Sequence, residues 1–497
     1  MCELETDIAK ANNGAQGSAR QFKEEYIMVV QHNLTAMNSN RMLGLTQSSQ
    51  AKSTEKLSSG YKINRAADDA AGLTISEKMR KQIRGLDKAS SNAQDGVSSV
   101  QTAEGALTEV HSMLQRMNEL AVQAANGTNS KDTDRKAIQD EIDQLNTEID
   151  RVAETTKFNE IYLLKGDDGE KTVNMNAHDA GLKGTLVDNG SGKATFTMKA
   201  LSAGDSVSIG GKNYTIGSTA ADAQKIVDAQ KKVGGKVTVN GVEYTYDNAD
   251  TKWKDADGND VKIGTGANAG EIKIGAGDKV SDGTTTLTAM TDEKNAAGAA
   301  TADGVDDNDN SVITAEKAYS LAKDELVAAN HIGDTENTAA VAQDTTNKNI
   351  FKITTGSAKV ANTLSFSLHV GADADMTNKI TVDIDTMNSA NLGIKGLNVT
   401  DKNGTAATYA IDAISDAISK VSSQRSALGA VQNRLEHTID NLDNISENTS
   451  SAESRIRDTD MAKEMVNYSK NNILAQAGQS MLAQANQSNQ GVLSLLQ

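Results

Sequence analysis

Apolar residues return every seven positions along a stretch in the first third of the chain. One row holds Met79, Leu86, Ala93, Val100, Leu107, Leu114 and Ala121, and a second row, three residues later, holds Ala89, Ala103, Val110, Met117 and Ala124. This is the a/d pattern of a coiled coil, with weak positions at Gln82 and Gly96. The pattern predicts one helix of about 50 residues that ends near Asn126-Gly127.

Two further helices are predicted from the same kind of spacing. After Asp132, apolar residues alternate in steps of four and three at Ile138, Ile142, Leu145, Ile149 and Val152. Near the other end a seven-residue row, interrupted at Thr449, holds Ile414, Val421, Leu428, Leu435, Leu442 and Ile456, with Ile418, Ile439 and Ile445 on the same face. We expect the first two helices to form a hairpin and the third to pack against it. Such stripes are usually core, so they indicate no binding role by themselves.

Alternation of apolar and polar residues replaces the helical period between about Lys171 and Thr400. The clearest case is Lys236–Tyr246, where Asn240-Gly241 between two alternating runs predicts a type I′ hairpin. Further strands are predicted at 194–198, 271–274, 364–370 and 380–384, and a short helix at 314–330. The predicted fold is therefore mainly α with a β-rich insertion, in which long antiparallel coiled-coil helices from both termini give an elongated multidomain architecture.

Both ends of the chain combine apolar positions with an uncharged polar face. No formal charge occurs after Lys470, or from Met28 to Asn40 if His32 is neutral. The apolar positions are Ile473, Leu474, Ala477, Met481 and Leu482 at one end and Val30, Leu34 and Met37 at the other. Neutral amides can be buried at lower cost than charges, so burial against copies of the same segment is expected. The alternative is a merely disordered tail, and ordering on assembly would satisfy both interpretations.

Composition narrows the function classes. The net charge of −17 disfavours nucleic acid and anionic membranes as main partners, and 37% hydrophobic residues with 3% aromatics predict a thin core. Proline is absent, and the single Cys2 excludes an internal disulfide. Neither a Sec-type signal peptide nor a membrane span is visible. Because one back-translation of Lys23–Met28 contains a ribosome-binding sequence before a start codon, we expect Met28 to be the true initiator and residues 1–27 to reflect a mis-set start.

No catalytic or metal-binding motif stands out. None of the six His residues belongs to an H-E-x-x-H motif, and no Gly-Lys pair belongs to a phosphate-binding loop. The acidic runs 255–260 and 306–310 resemble half of a calcium loop but lack Gly at the sixth position, so solvated turns are favoured. The sequence therefore predicts neither an enzyme nor a cofactor or metal site.

Several runs resemble bacterial flagellin. They are Gln31–Arg41, Lys56–Gly60 and Asp68–Leu73 near the start, and Ser454–Met461, Leu482–Gln487 and Val492–Leu496 near the end. The resemblance covers about 28–165 and 405–497, and 364–387 is similar to the short β segment that many flagellins carry. Nothing specific is recognised within 176–361, and residues 1–27 have no family counterpart.

The resemblance implies a domain order and a function. Residues 1–27 would be a non-family leader, 28–70 an N-terminal filament-core helix, 71–175 a helical hairpin of the inner shell, 176–361 a variable surface-exposed insertion, 362–456 a β segment with a returning coiled-coil helix, and 457–497 a C-terminal filament-core helix. The chain would self-polymerise into the extracellular flagellar filament for swimming motility. The contact residues expected for assembly are Val30, Leu34, Met37, Ile473, Leu474, Ala477, Met481, Leu482, Leu493 and Leu496.

The implied partners are other flagellin subunits, the flagellar cap and hook-junction proteins, an export chaperone that covers about Met461–Leu496, and host Toll-like receptor 5. Neither nucleic acid nor membrane is expected as a partner. Export would use the flagellar apparatus without a cleaved signal peptide.

The segments Leu114–Leu120 and Ile138–Ile142 match the family's receptor-facing patch. The expected receptor-binding residues are Gln115, Arg116, Glu119, Leu120 and Glu141, with Arg116 as a multidentate donor, Leu120 as an apolar anchor and Glu141 as an acceptor. Asn118 departs from the family, where many recognised members carry a second Arg. The alternative is that these are solvated hairpin residues that serve subunit contacts.

Three rival functions remain at this point. A hook-filament junction protein would share the helical ends without self-polymerising. A metallopeptidase within the insertion would need the missing H-E-x-x-H motif, and a lectin or adhesin would place its site in 176–361.

Overall fold

The computed structural model describes residues 33–130, 133–292, 302–401 and 403–494, with side chains as far as residue 487. The expectations for residues 1–27, Met28, Val30 and Leu496 lie outside the described residues. Long helices near both ends flank a β-rich middle. The helices are α1 Leu34–Ser59, α2 Ala70–Ala125, α3 Asp134–Thr155, α4 Ala220–Ala229, α5 Ala315–Asn330, α6 Ser389–Leu392, α7 Thr405–Arg457 and α8 Met461–Ser494, with a 3₁₀ turn at Met376–Asn378.

The chain divides into two compact units. Unit 1 contains residues 1–83 and 447–497, and unit 2 contains residues 84–446.

In unit 1, α1 packs antiparallel to α8. The Asn33 amide donates to Ala485 O (3.1 Å), and Leu43 faces Gly478 further along the pair. Asn33 also starts α1, because its side chain accepts the Ala36 N–H, while Gly60 ends the helix in the left-handed region at φ +78°. These contacts pair two helices that lie far apart in the sequence.

In unit 2, α2, α3 and α7 share one hydrophobic core. The predicted a/d rows are buried on α2 from Leu86 to Ala124, on α3 at Ile138, Ile142 and Ile149, and on α7 from Ile414 to Leu442. Cross-helix bonds from Ser90 to Asp443 (3.0 Å) and from Ser446 to Asp87 (2.8 Å) show that α2 and α7 run antiparallel. The three predicted long helices are confirmed, whereas their pairing as a coiled coil stays a prediction.

Two positions of the predicted seam differ from expectation. Ile445 is exposed, whereas Leu442, one turn before it, packs with Leu86 and Ala89 of α2. Gly96 is a weak position of the heptad pattern, and a side chain from outside the helices occupies the space beside it. A Cβ at Gly96 would lie 2.2 Å from Leu368 Cδ1, so the missing side chain makes room for a leucine of a β-hairpin.

The turn between α2 and α3 is organised by a buried arginine. Arg135 is 1% exposed. Its guanidinium donates to three main-chain carbonyls, those of Ala124 (2.8 Å), Asp401 (2.9 Å) and Asn126 (3.2 Å). Because the last carbonyls of a helix lack intrahelical partners, Arg135 caps α2 and joins it to the segment before α7.

The strands form several small sheets, mostly antiparallel. They are β1 Lys157–Phe158, β2 Ile161–Tyr162, β3 Asp167–Asn174, β4 Gly184–Gly190, β5 Lys193–Met198, β6 Ser206–Ile209, β7 Lys212–Ile216, β8 Lys236–Val239, β9 Val242–Asp247, β10 Lys252–Lys254, β11 Lys262–Ile263, β12 Glu271–Ile272, β13 Lys279–Ser281, β14 Thr286–Thr288, β15 Val312–Ile313, β16 Ala340–Gln343, β17 Ile350–Thr354, β18 Ser357–Asn362, β19 Leu364–His369 and β20 Lys379–Ile384.

The insertion has two hydrophobic cores. The first joins α5 to the sheet β16-β17-β5-β4 and to β6, β7 and β15, with Phe196 and Phe351 at its centre. The second lies between α4 and the sheet β10-β9-β8-β13-β14, around Trp253 and Tyr246. The predicted hairpin turn is confirmed, because Asn240 and Gly241 both have positive φ (51° and 87°) and Val239 pairs with Val242.

Two strand pairs connect the insertion with the helical core. β3 pairs antiparallel with β18, so the strand just before the insertion lies beside the strand at its end. β19 pairs with β20, and this hairpin packs Val370 and Ile380 against Ala93 of α2 and Leu435 of α7. The hairpin therefore covers the α2–α7 pair near Gly96.

Candidate assembly and recognition surfaces

The α1–α8 pair has a small interior. Among its described side chains, Leu43, Ser53 and Ala475 are buried. The Ser53 hydroxyl bonds to the Glu464 carboxylate and lowers the pKa of that group. One such polar contact and two apolar side chains bury little surface for helices of this length, so hydrophobic burial within the pair contributes little stability.

The outer faces of both helices carry most of their apolar side chains. On α1, Leu34 is 74% exposed and Met37 is also exposed, and on α8 Ile473 is 66% exposed alongside Leu474 and Met481. Ala477 is exposed and Leu482 is half-buried. The side chain of Leu493 lies outside the described part of α8. The assembly residues predicted within the described side chains thus lie largely at the surface of the isolated chain.

Further exposed apolar residues extend this surface. They are Met42 and Leu45 on α1 and Met461, Met465 and Val466 on α8. Shallow grooves on α8 run between Met465, Val466 and Ile473, and a second groove joins Met42 to Leu474 and Met481. Their helical spacing was visible in the sequence, but single methionines and valines between polar residues gave a weak signal. Contiguous apolar surface of this kind marks an interaction site.

The predicted recognition residues form an exposed ionic cluster on the α2–α3 hairpin. Arg116 Nε lies 2.9 Å from Glu141 Oε1, and its Nη1 lies 3.1 Å from Glu119 Oε2. Hydrogen bonding to Glu141, and secondarily to Glu119, raises the pKa of Arg116. Gln115 is exposed on the same helix and bonds to His111 (3.1 Å). The cluster holds the guanidinium in one orientation while half of it faces solvent.

Leu120 does not belong to this surface. It is 2% exposed and packs in the core of α2, α3 and α7. The expectation that Leu120 is an apolar anchor for a partner is therefore wrong. Leu120 lies one helical turn from Met117 and one from Ala124, and both of these residues face inward.

The acidic runs of the insertion bind their own main chain. Asp255 Oδ1 accepts the N–H groups of Asp257 (3.0 Å) and Asn259 (2.8 Å). Asp306 accepts those of Thr291 and Asn308 in the same way. Within 33–130, 133–292, 302–401 and 403–494, no three potential metal ligands cluster. These carboxylates therefore act as turn caps.

None of the helices in the described part of the chain is long and apolar enough to cross a membrane.

Comparison with known proteins gives matches at both ends and over nearly the whole length. Residues 30–168 match the bacterial flagellin N-terminal helical region, and residues 411–496 match the bacterial flagellin C-terminal helical region. A flagellin of Clostridium tyrobutyricum is 38% identical over 467 residues, covering 93% of this chain and 100% of the relative. Flagellins of Halalkalibacterium halodurans and Bacillus subtilis are 35% and 34% identical, each covering 94% of this chain and 100% of the relative.

Proposed function

Because the chain belongs to the bacterial flagellin family, a family of structural subunits of the extracellular flagellar filament, we propose that it self-polymerises into that filament and serves swimming motility. The six segments described above, from the leader 1–27 to the C-terminal filament-core helix 457–497, are part of this proposal.

The observation that carries the proposal is the exposed apolar surface of α1 and α8. Large side chains such as Leu34, Ile473 and Met481 face solvent in the isolated chain, while charges are absent from the adjoining polar positions after Lys470. A soluble monomer normally covers or breaks up such a patch. Contact with the same helices of neighbouring copies would remove the patch from water without burying a charge.

Identical subunits joined through two different surfaces build an open helical polymer whenever the rotation between them does not close a ring. The exposed apolar side chains of α1 and those of α8 would supply two such surfaces in each copy. Long helices such as α2 and α7 would carry bending and torque along the polymer, because a helix of this length is a continuous hydrogen-bonded rod.

A charge-insertion experiment tests self-polymerisation. Purified full chain is seeded with filament fragments, and growth is followed by sedimentation and electron microscopy. Leu474→Lys places a charge in the exposed apolar face and is expected to abolish growth. Thr284→Lys adds the same charge at an exposed position of the insertion, outside the charge-free segment, and is the control. Unhindered growth of Leu474→Lys would contradict the proposal. A hook-filament junction protein would not elongate seeds even as wild type.

The same apolar face suggests a partner before export. We propose that a flagellin-type chaperone covers the stripe from Met461 onward and that the chain leaves the cell through the flagellar export apparatus without a cleaved signal peptide. Cap and hook-junction proteins would then meet the assembled subunits at the filament ends.

A second proposed role is recognition by Toll-like receptor 5. The exposed Arg116–Glu119–Glu141 cluster with Gln115 supports it, because a held guanidinium can bind a partner with little further ordering. Arg116→Ala is expected to weaken binding of the receptor ectodomain by about 2 kcal/mol or more if Arg116 is a central contact. Lys136→Ala, which removes an exposed cation paired with Asp140 on α3, is the control. Equal affinity of the two variants would remove this role.

A further inference from the structure

Two linkers run side by side in unit 1 where four helix ends meet. One linker joins α1 to α2, and the other joins α7 to α8. The Lys62 N–H donates to Arg457 O (2.7 Å), and the Thr459 N–H donates to Gly60 O (2.9 Å), so the two linkers are bonded main chain to main chain. Tyr61 and Asp458 form the antiparallel bridge between them.

The Tyr61 ring lies close to two guanidinium groups from different helices. Arg80 Cζ of α2 is 5.3 Å from the ring centroid, and Arg457 Cζ at the end of α7 is 4.9 Å from it. Arg80 Nη2 also donates to the Tyr61 hydroxyl (3.0 Å). Both cations are within the range in which an aromatic face attracts a positive charge.

The same two arginines are paired in a reciprocal way between α2 and α7. Arg80 Nε of α2 lies 3.3 Å from Glu453 Oε1 of α7 as an ion pair, and Arg457 Nη1 of α7 donates to Glu77 Oε1 of α2 (2.5 Å). Each cation therefore has a carboxylate from the opposite helix and the Tyr61 ring from the linker.

Of the two arginines, Arg457 relies more on its contact with the Tyr61 ring. Its side chain is only 12% exposed, and its Nε has no hydrogen-bond partner among the described residues. A buried donor without an acceptor is destabilising, so the negative face of the ring is a large part of what compensates Nε. Without the ring, the Arg457 guanidinium would lose a favourable electrostatic contact at the point where both linkers meet.

We propose that Tyr61 is a positioning residue for assembly, which fixes the direction in which the α1–α8 pair leaves the ends of α2 and α7. This inference rests on the proposed self-polymerisation. A helical polymer accepts only copies that present their contact surfaces in one orientation. If the linkers sample other directions, the assembly-competent fraction falls, and the apparent affinity for the growing end falls with it.

The test uses the full chain and three single substitutions. Tyr61→Leu removes the ring, Tyr61→Phe keeps the ring but loses the bond to Arg80, and Tyr244→Leu removes a half-buried tyrosine of the insertion as a control. Seeded growth gives the critical concentration, and electron microscopy gives the filament shape. Loss of two cation–aromatic contacts is expected to raise the critical concentration roughly five- to thirtyfold and to change the helical shape. Tyr244→Leu should stay within about threefold of wild type, and the rise for Tyr61→Phe should be smaller than that for Tyr61→Leu, because Tyr61→Phe keeps the ring and both cation–aromatic contacts.

A second readout does not need polymerisation. Amide hydrogen exchange of the monomer reports on the bonds from Lys62 and Thr459, which Tyr61→Leu should weaken and Tyr61→Phe should preserve. If wild type fails to grow on seeds, the proposed function falls while the exchange experiment still tests the role of Tyr61. Wild-type critical concentration and shape for Tyr61→Leu, or unchanged exchange at both amides, would overturn the inference. If Tyr61→Leu loses helical content, Arg457→Gln replaces it with the same expected results.

Discussion

Replacement of Arg135 should destabilise the α2–α3 turn more than replacement of any exposed arginine. In Arg135→Met the apolar stem is kept, while the donors to the carbonyls of Ala124, Asn126 and Asp401 are lost. A hydrogen bond from a charged group contributes about 1.5–3 kcal/mol, and part of the loss is recovered where water reaches the carbonyls. Because Asn126 is exposed, we expect a net destabilisation of about 3–5 kcal/mol.

Arg135→Lys separates charge from geometry. The lysine ammonium keeps the positive charge, but it cannot reach all three carbonyls that the planar guanidinium contacts. About half of the destabilisation expected for Arg135→Met should therefore remain. Arg151→Met is the matched control on the same helix, because Arg151 is exposed and pairs only locally with Glu148. Its expected effect is at most about 0.5 kcal/mol.

The assay must report locally, because a chain with two compact units need not unfold in one step. Amide hydrogen exchange of the last turn of α2 and the first turns of α3 measures the free energy of opening there. A loss of 3–5 kcal/mol corresponds to exchange that is roughly a hundred to several thousand times faster. Exchange of Arg135→Met within threefold of Arg151→Met would refute the capping role of Arg135.

Three further predictions concern glycines and a buried carboxylate. Gly96→Ala should cost about 1–3 kcal/mol in hydrogen-exchange stability of the β19–β20 hairpin, because the new Cβ meets Leu368 at 2.2 Å. Gly241→Ala has free space but φ +87°, so backbone strain of about 1–2 kcal/mol should lower the urea midpoint of the second insertion core, measured by Trp253 fluorescence. Burial tends to raise the pKa of Asp334, yet the N–H groups of Ala339, Ser357 and Glu336 hold it below its ordinary value. That stability is present above the unfolded pKa of about 3.9 and is lost as pH falls through the lower folded pKa, so Asp334→Asn should remove this part of the acid dependence of unfolding.

Local patterns predicted the elements well where one face of an element is buried. The heptad rows marked the buried side of α2 and α7, and Asn240-Gly241 marked the hairpin turn, because backbone geometry alone requires positive φ there. The helix α4 was missed, although Thr219 three residues before Asp222 is an N-cap signal and its side chain does accept the Asp222 N–H.

Contacts between distant segments were beyond the sequence patterns. β5 pairs with β17, which follows about 150 residues later, and Leu368 enters the notch at Gly96 from another part of the chain. A heptad position predicts that something apolar lies opposite but not which segment supplies it. Short strands of alternating Thr, Lys and Val carry too little information to choose partners among many similar strands.

Some features of the surface residues could be predicted from local sequence patterns, and others could not. Exposure of Leu34, Met37 and Ile473 follows from helical spacing combined with missing charge. The burial of Leu120 also follows from helical spacing, because it lies one turn from the inward-facing Met117 and Ala124, and it contradicts the exposed role that the family resemblance implied. The cation–aromatic contacts of Tyr61 had no sequence signal, because they depend on two linkers nearly 400 residues apart.

The pairing of β3 with β18 has an evolutionary consequence. The hydrogen bonds between the two strands offset the entropy lost when the residues between them are closed into a loop. This entropy cost grows only slowly with the number of residues in the loop. The segment between β3 and β18 can therefore change in length or sequence in related proteins while the elements outside it stay the same. A change made between the two strands should therefore leave their pairing and the helices α2, α3 and α7 unaltered.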